Sequence, residues 1–185
     1  MEKLLIEKKK RKHFNILREV KELKGICDKL PDDDECYNFL SDGGFSSVAF
    51  VKFVADRARI KTMFASTLRI GRKHLWILDE LRRVGKLEKC YFVVGSVMKN
   101  DSELGKSYKY YDDLEKVCGI NNWSLTTLNN HSKIFLFDTE KGKFVLETSS
   151  NLKENPNIEQ FSFEKCEELF EFYKQAFVDL MGVEL

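Results

Sequence analysis

His131, Lys133, Ser149 and Asn151 fall within one short stretch of this 185-residue chain, and together they are the residue types a phosphodiester calls for. A histidine supplies an attacking nitrogen or a proton, a lysine supplies a fixed positive charge, and a hydroxyl and an amide cover the oxygens on phosphorus. The stretch itself reads as a β-hairpin. Ile134 to Phe137 is an apolar run that follows His131-Ser132-Lys133, Phe144 to Leu146 is a second, and residues 139–143 form the turn between them. Alternation along a strand points His131 the same way as Lys133, and Ser149 the same way as Asn151. If the hairpin folds about Lys141, with Gly142 taking a positive φ, Lys133 lies opposite Ser149 and His131 opposite Asn151. The four polar groups then gather on one face at the open end of the hairpin, a constellation that requires no metal ligands.

The order His131-x-Lys133-x4-Asp138, then Thr148-Ser149-x-Asn151 and finally Glu159, resembles the HxKx4D…GSxN motif of the phospholipase D superfamily. One copy is present, and in element order the likeness covers roughly the last two thirds of the chain. Two departures stand out. Thr148 occupies the place of the family's glycine, and residues 139–147 make a longer connection than the usual pattern has. The polar Glu140-Lys141-Gly142-Lys143 turn can absorb the added length, whereas a Cβ at residue 148 could crowd a backbone approach to phosphate.

The resemblance implies a fold and a mechanism. It implies an α/β/α layering, a mixed sheet with helices on both faces. It implies no cofactor and no metal, and, because each motif furnishes half a site, a homodimer. His131 of one subunit would attack phosphorus to form a phosphohistidine, and the partner subunit's His131 would protonate the leaving oxygen. Lys133 and Asn151 would hold the non-bridging oxygens, Ser149 would support the phosphate, and Glu159 would orient an imidazole. Asp138 falls on the opposite face from His131 by strand parity and reads as structural. The bland alternative makes His131 and Lys133 the polar start of a buried strand and residues 148–151 a loop with an Asx-type bond.

Composition sets the outer bounds. Hydrophobic residues make up 43% of the chain with only two prolines, which argues for a folded domain with a substantial core. No run of 18 apolar residues occurs and Leu4-Leu5-Ile6 is broken at once by charge, so no stable membrane association and a cytoplasmic location are expected. The five cysteines, Cys27, Cys36, Cys90, Cys118 and Cys166, lack zinc-site spacing and are expected to be reduced, with Cys90 and Cys118 in the core.

A net charge of +1 conceals an uneven spread. Residues 1–25 carry nine Lys and Arg against four Glu, residues 52–89 carry eleven against four acids, and residues 138–185 carry five Lys against eleven acids. Basic segments of this kind can bind phosphate backbones without regard to sequence, which makes nucleic acid the expected partner. Three functions are then open: a metal-independent nuclease, a silent nucleic-acid-binding dimer, and a phospholipid phosphodiesterase, the last unsupported by any membrane helix.

The elements that must position the site follow from periodicity. Residues 1–35 read as a basic helical extension, with the helix over Glu2 to Leu23, followed by the acidic loop Pro31 to Glu35; residues 36–185 read as the phospholipase D-like domain. Strands are expected at residues 37–40, 60–68, 89–96, 123–128 and 160–163, and helices at 45–56, 73–84, 110–118 and 164–180, an alternation that signals an α/β domain with parallel strands. Ile77, Leu78, Leu81 and Val84 are expected on one side of the second helix, Trp76 in the core, and His13 and His74 on the surface. Asn129-Asn130 suits a reversal that starts the His131 strand at the edge where the parallel strands end. The loops of that edge bring Arg69, Arg72, Lys73 and Lys99 as candidate nucleic-acid contacts.

Overall fold

A single mixed sheet runs through the protein, and three antiparallel strands are wedged into the middle of it. The computed structural model describes residues 10–17, 23, 27–105, 110–153 and 156–183. In chain order the elements are β1 (Arg11–Leu17), β2 (Glu35–Ser41), α1 (Val48–Ala55), β3 (Ile60–Thr67), α2 (Arg72–Arg83), β4 (Leu87–Gly95), α3 (Ser96–Glu103), α4 (Tyr110–Asn121), β5 (Ser124–Leu128), β6 (Ile134–Thr139), β7 (Gly142–Thr148), β8 (Glu159–Lys165) and α5 (Glu167–Met181). The sheet order is β1-β2-β8-β7-β6-β3-β4-β5. Strands β3, β4 and β5 pair in parallel, as do β1 and β2, while β6, β7 and β8 run antiparallel to their neighbours and join the two parallel groups.

Both faces are covered, by different apolar sets. Buried residues of α1, α2 and α4, among them Phe50, Leu78 and Leu114, pack on one face with Phe39, Phe92, Phe135 and Phe163. On the other face, Phe170 and Phe177 of α5 cover Phe64, Val93, Leu136 and Val145. The alternation of Phe135, Leu136 and Phe137 between these sets is the period of two expected of a strand buried on both sides. Beneath α1 the phenylalanines form one cluster. The Phe163 ring lies 5.6 Å from Phe50, 5.8 Å from Phe144 and 6.3 Å from both Phe53 and Phe137, within the range in which aromatic pairs add to simple burial.

Several expectations need correction. Residues 11–17 are strand, not helix; residues 2–9 and 18–22 of the expected helix lie outside the described residues. Parallel pairing with β2 from Arg11↔Glu35 to Leu17↔Ser41 overrides the helical spacing, the Arg11 guanidinium takes both oxygens of Asp34 at 2.8 Å, and the His13 ring stands edge-on to Tyr37. Arg11 and Lys12 at the start of this strand also suit a sheet edge, where charge discourages pairing with other chains. Residues 97–103, read as loop, form α3 together with Ser96, which was expected to end the strand. His74 is buried at 4% exposure, and Trp76 and Val84 are exposed, because the inward face of α2 is His74, Leu75, Leu78 and Leu81.

The hairpin register is displaced by one residue. Thr139 pairs with Gly142 and Ile134 with Glu147, so the loop is the two residues Glu140 and Lys141. Gly142, at φ 122°, is the first residue of β7, and the Thr139 hydroxyl closes the turn by donating to the Gly142 carbonyl and accepting from the Lys141 N–H. Lys133 therefore stands opposite Thr148, whose N–H donates to its carbonyl at 3.1 Å, and not opposite Ser149.

Phe163→Ala should lower stability by about 3–5 kcal/mol, the usual range for emptying a fully buried aromatic site. Urea unfolding followed by circular dichroism checks this, with the midpoint falling and the slope unchanged.

Candidate active site

Five strand ends meet at one edge of the sheet. There β2 and β3 finish, β6 and β8 begin, and β7 delivers the chain into the bend at Ser149. In parallel α/β layers this edge, beyond the carboxyl ends of the strands, is the usual place for a ligand.

Lys133 anchors the site. It is 8% exposed, and its ammonium donates to the His131 carbonyl at 2.6 Å and lies 3.1 Å from Nδ1 of the exposed His131 ring. Burial holds its pKa below the ordinary lysine value of 10.5, and the negative charge of Glu159 partly opposes that shift. Glu159, at the start of β8, is itself buried at 6% exposure. The Ser149 hydroxyl bonds its carboxylate, and its N–H donates to Ser41 Oγ at the end of β2 at 3.1 Å. His131 with Lys133, and Glu159 with Ser149, are thus two contacting pairs, linked by the charge of Glu159 acting on the Lys133 ammonium, although Ser149 reaches Glu159 through the bend after β7 and not through strand pairing.

Asn151 joins from the side. Its Oδ1 accepts from the Leu68 N–H at 3.1 Å and lies 3.2 Å from the Thr67 hydroxyl, so it is fixed to the end of β3. Leu152 N–H donates to Thr67 Oγ1, Gly71 N–H donates to the Leu152 carbonyl, and Ser47 at the start of α1 donates to the Ser150 carbonyl at 2.9 Å. With the amide oxygen committed to β3, the donor end of Asn151 is the part suited to an anion. Thr148 fits without strain on the loop: its hydroxyl donates to the Gln160 carbonyl at 2.6 Å and accepts from the Ser150 N–H at 2.9 Å. Asp138 lies near the far end of β6, paired with Thr62 and Lys143.

The chain shares its fold with a polyphosphate kinase. The crystal structure of the enzyme from Porphyromonas gingivalis superposes with a TM-score of 0.59 over 91% of this chain, at 11% sequence identity. The chain spans 30% of the length of that protein. No protein-family model matches the chain, and no curated protein matches it in sequence. At this identity the likeness shows the α/β fold and nothing finer.

The expected basic contacts sit around the same edge, and three of them face acidic side chains across short distances. Arg69, just after β3, pairs with Asp101 of α3 at 2.8 Å; Arg72, opening α2, pairs with Asp113 of α4 at 2.6 Å and lies over the Tyr110 ring; Lys99 is 3.9 Å from Glu103. Lys73 is exposed. Sequence reading overlooked Asp101, because α3 was taken for loop. It also overlooked Ser41, Ser66 and Thr67, which sit at strand ends and carry no motif. Among the described residues no three His, Cys, Asp or Glu side chains gather to hold a metal ion, and no helix is long and apolar enough to cross a membrane. All five cysteines are free and buried, and burial raises Cys27 to about 11 and Cys118 to about 12.

Glu159→Gln removes the charge that opposes desolvation of Lys133, so the lysine should titrate lower still. The unfolded chain binds more protons than the native one between the depressed native pKa and 10.5, so stability rises with pH across that interval, and the variant should widen it. Titration of the Lys133 ammonium by nitrogen-detected NMR reads the shift directly; an upward movement would contradict this account.

Proposed function

We propose that the chain is a phosphodiesterase of phospholipase D type, a metal-independent nuclease that acts through a phosphohistidine at a homodimer interface. The observation that carries this reading is the convergence of His131 bonded to buried Lys133, Ser149 bonded to buried Glu159 whose charge acts on that lysine, and Asn151 fixed to the end of β3, all at the same sheet edge. A fold held in common with a polyphosphate kinase supports phosphoryl-transfer chemistry as its class.

Lys133 has three ammonium protons and uses one firmly on the His131 carbonyl, so donors remain for a non-bridging oxygen. Its charge, and that of its dimer mate, serve where a divalent ion would otherwise act. His131 Nε2 forms a bond to phosphorus as the bond to the leaving oxygen breaks, and the partner subunit's His131 gives that oxygen a proton. Water then attacks phosphorus, the same imidazole takes the water's proton, and the P–N bond breaks to restore His131. Attack through Nε2 requires the ring proton on Nδ1, and we assign Glu159 as the acceptor that stabilises it once the exposed ring turns from Lys133. One imidazole cannot stand on both sides of phosphorus, so a two-fold axis through the site completes it.

Nucleic acid is the substrate class favoured by the cationic rim of Arg69, Arg72, Lys73 and Lys99. In their ion pairs Arg69 and Arg72 remain more than a third exposed, at 39% and 54%, and their acidic partners could be displaced by phosphates. The satisfied hydroxyl of Thr148 favours an active enzyme over a silent binding protein.

Hydrolysis of single- and double-stranded DNA, RNA and bis(p-nitrophenyl) phosphate in excess EDTA is the test. Activity should persist with chelator, and His131→Ala should abolish it while leaving the fold and dimer intact. Loss of turnover in EDTA with recovery in magnesium would sink the metal-independent mechanism. Full turnover by His131→Ala, or by a monomer, would sink the phosphohistidine and the dimer.

A further inference from the structure

His131 lies outside every strand, in the residues between β5 and β6, so no ladder hydrogen bond fixes the backbone of the proposed nucleophile. The residue before it supplies that restraint. Asn130 Oδ1 accepts from the Ser132 N–H at 2.9 Å and from the Ser132 hydroxyl at 2.7 Å, closing a turn with His131 at its apex. Asn130 Nδ2 donates to Ser66 Oγ and to the Val93 carbonyl, both at 2.9 Å. Ser66, 1% exposed and at the end of β3, is also 2.5 Å from the Ser132 hydroxyl. One side chain therefore ties both flanks of His131 to β3 and β4.

The surroundings leave this side chain little alternative. Ser66 and Val93 face each other in the β3–β4 ladder, and Ser66 also pairs with Ile134 of β6. Next door, the Ser96 hydroxyl donates to Asn129 Oδ1 at 2.9 Å, which holds the preceding residue to the start of α3. Gly95 lets the turn come close, for a Cβ there would stand 3.2 Å from the Asn130 carbonyl and 2.9 Å from that of Leu68.

We propose that Asn130 is the positioning residue for His131, acting with Ser66 to hold the imidazole in line with phosphorus. This rests on the phosphodiesterase reading above. An asparagine is the residue that does both jobs, because its oxygen accepts from Ser132 while its nitrogen donates to Ser66 and Val93. Aspartate keeps the first and loses the second, and it would set a carboxylate against the Val93 carbonyl.

The test compares Asn130→Ala, Asn130→Asp and Ser66→Ala with the unaltered dimer in two measurements. In turnover of bis(p-nitrophenyl) phosphate, Asn130→Ala should lower kcat by about 10- to 100-fold, the scale on which misalignment of a reacting group acts. KM should stay within about twofold, since the phosphate-holding groups are untouched. Asn130→Asp should behave similarly and Ser66→Ala less severely. In nitrogen-detected NMR of the imidazoles, the His131 signals, assigned by their absence in His131→Ala, should broaden or double, and Ser132 amide exchange should accelerate. Unchanged kcat together with unchanged His131 signals would overturn the proposal, as would a loss confined to KM. If the unaltered protein shows no turnover, the phosphodiesterase reading falls, and the imidazole signals alone then decide whether Asn130 holds His131. If Asn130→Ala does not fold, Asn130→Asp and Ser66→Ala carry both measurements.

Discussion

A buried ammonium is hard to accommodate, and the site edge of this protein is arranged around one. Lys133 loses most of its water at the head of β6, and the compensation comes from elements far apart in sequence: the carbonyl of His131 just before it and the carboxylate of Glu159 from β8. Glu159 is fixed in turn by Ser41 of β2 and by Ser149 beyond β7. The antiparallel trio β6-β7-β8 thus has a polar reason to sit between β2 and β3, besides the phenylalanine cluster that fills the space beneath α1.

How far the sequence shows this depends on whether a feature is local. Strands β3, β4 and β6 and helices α2 and α4 carry clear apolar periods, and their positions agree with the expectations to within a few residues. Strand β1 does not, because Arg11 to Leu17 holds its conformation through pairing with β2 and through Asp34, partners that no local spacing reveals. His74 was misjudged for a related reason: a polar residue on the buried side of α2 is not visible until the helix is docked. The register of the hairpin turned on whether Gly142 belongs to the loop or to the strand, a choice settled by the Thr139 hydroxyl.

The candidate site shows the same division. His131, Lys133, Ser149, Asn151 and Glu159 are legible as types at a spacing, and the fold gathers them at one edge, but not through the pairs that parity suggested. Ser149 meets Glu159 because the chain bends out of β7 at that point, where strand alternation no longer applies. Thr148 was a concern as a bulky replacement and is instead part of the bend, its hydroxyl bridging the Gln160 carbonyl and the Ser150 N–H. The supporting residues Ser41, Ser66 and Thr67 are short hydroxyls at strand ends, a type too common to single out without knowing which ends converge.

The order of the strands has a consequence for how the protein is made. Strand β2 waits for β8, with Cys36 facing Glu164, so an early segment of the chain remains without its inner neighbour until the last of the described strands has emerged from the ribosome. Such long-range pairing slows folding and leaves an open strand edge on the growing chain. Glu159 belongs to that same late strand. The nascent protein can build β3, β4 and β5 with their helices well before it possesses the carboxylate of Glu159, so the candidate site is assembled only after β8 has been made.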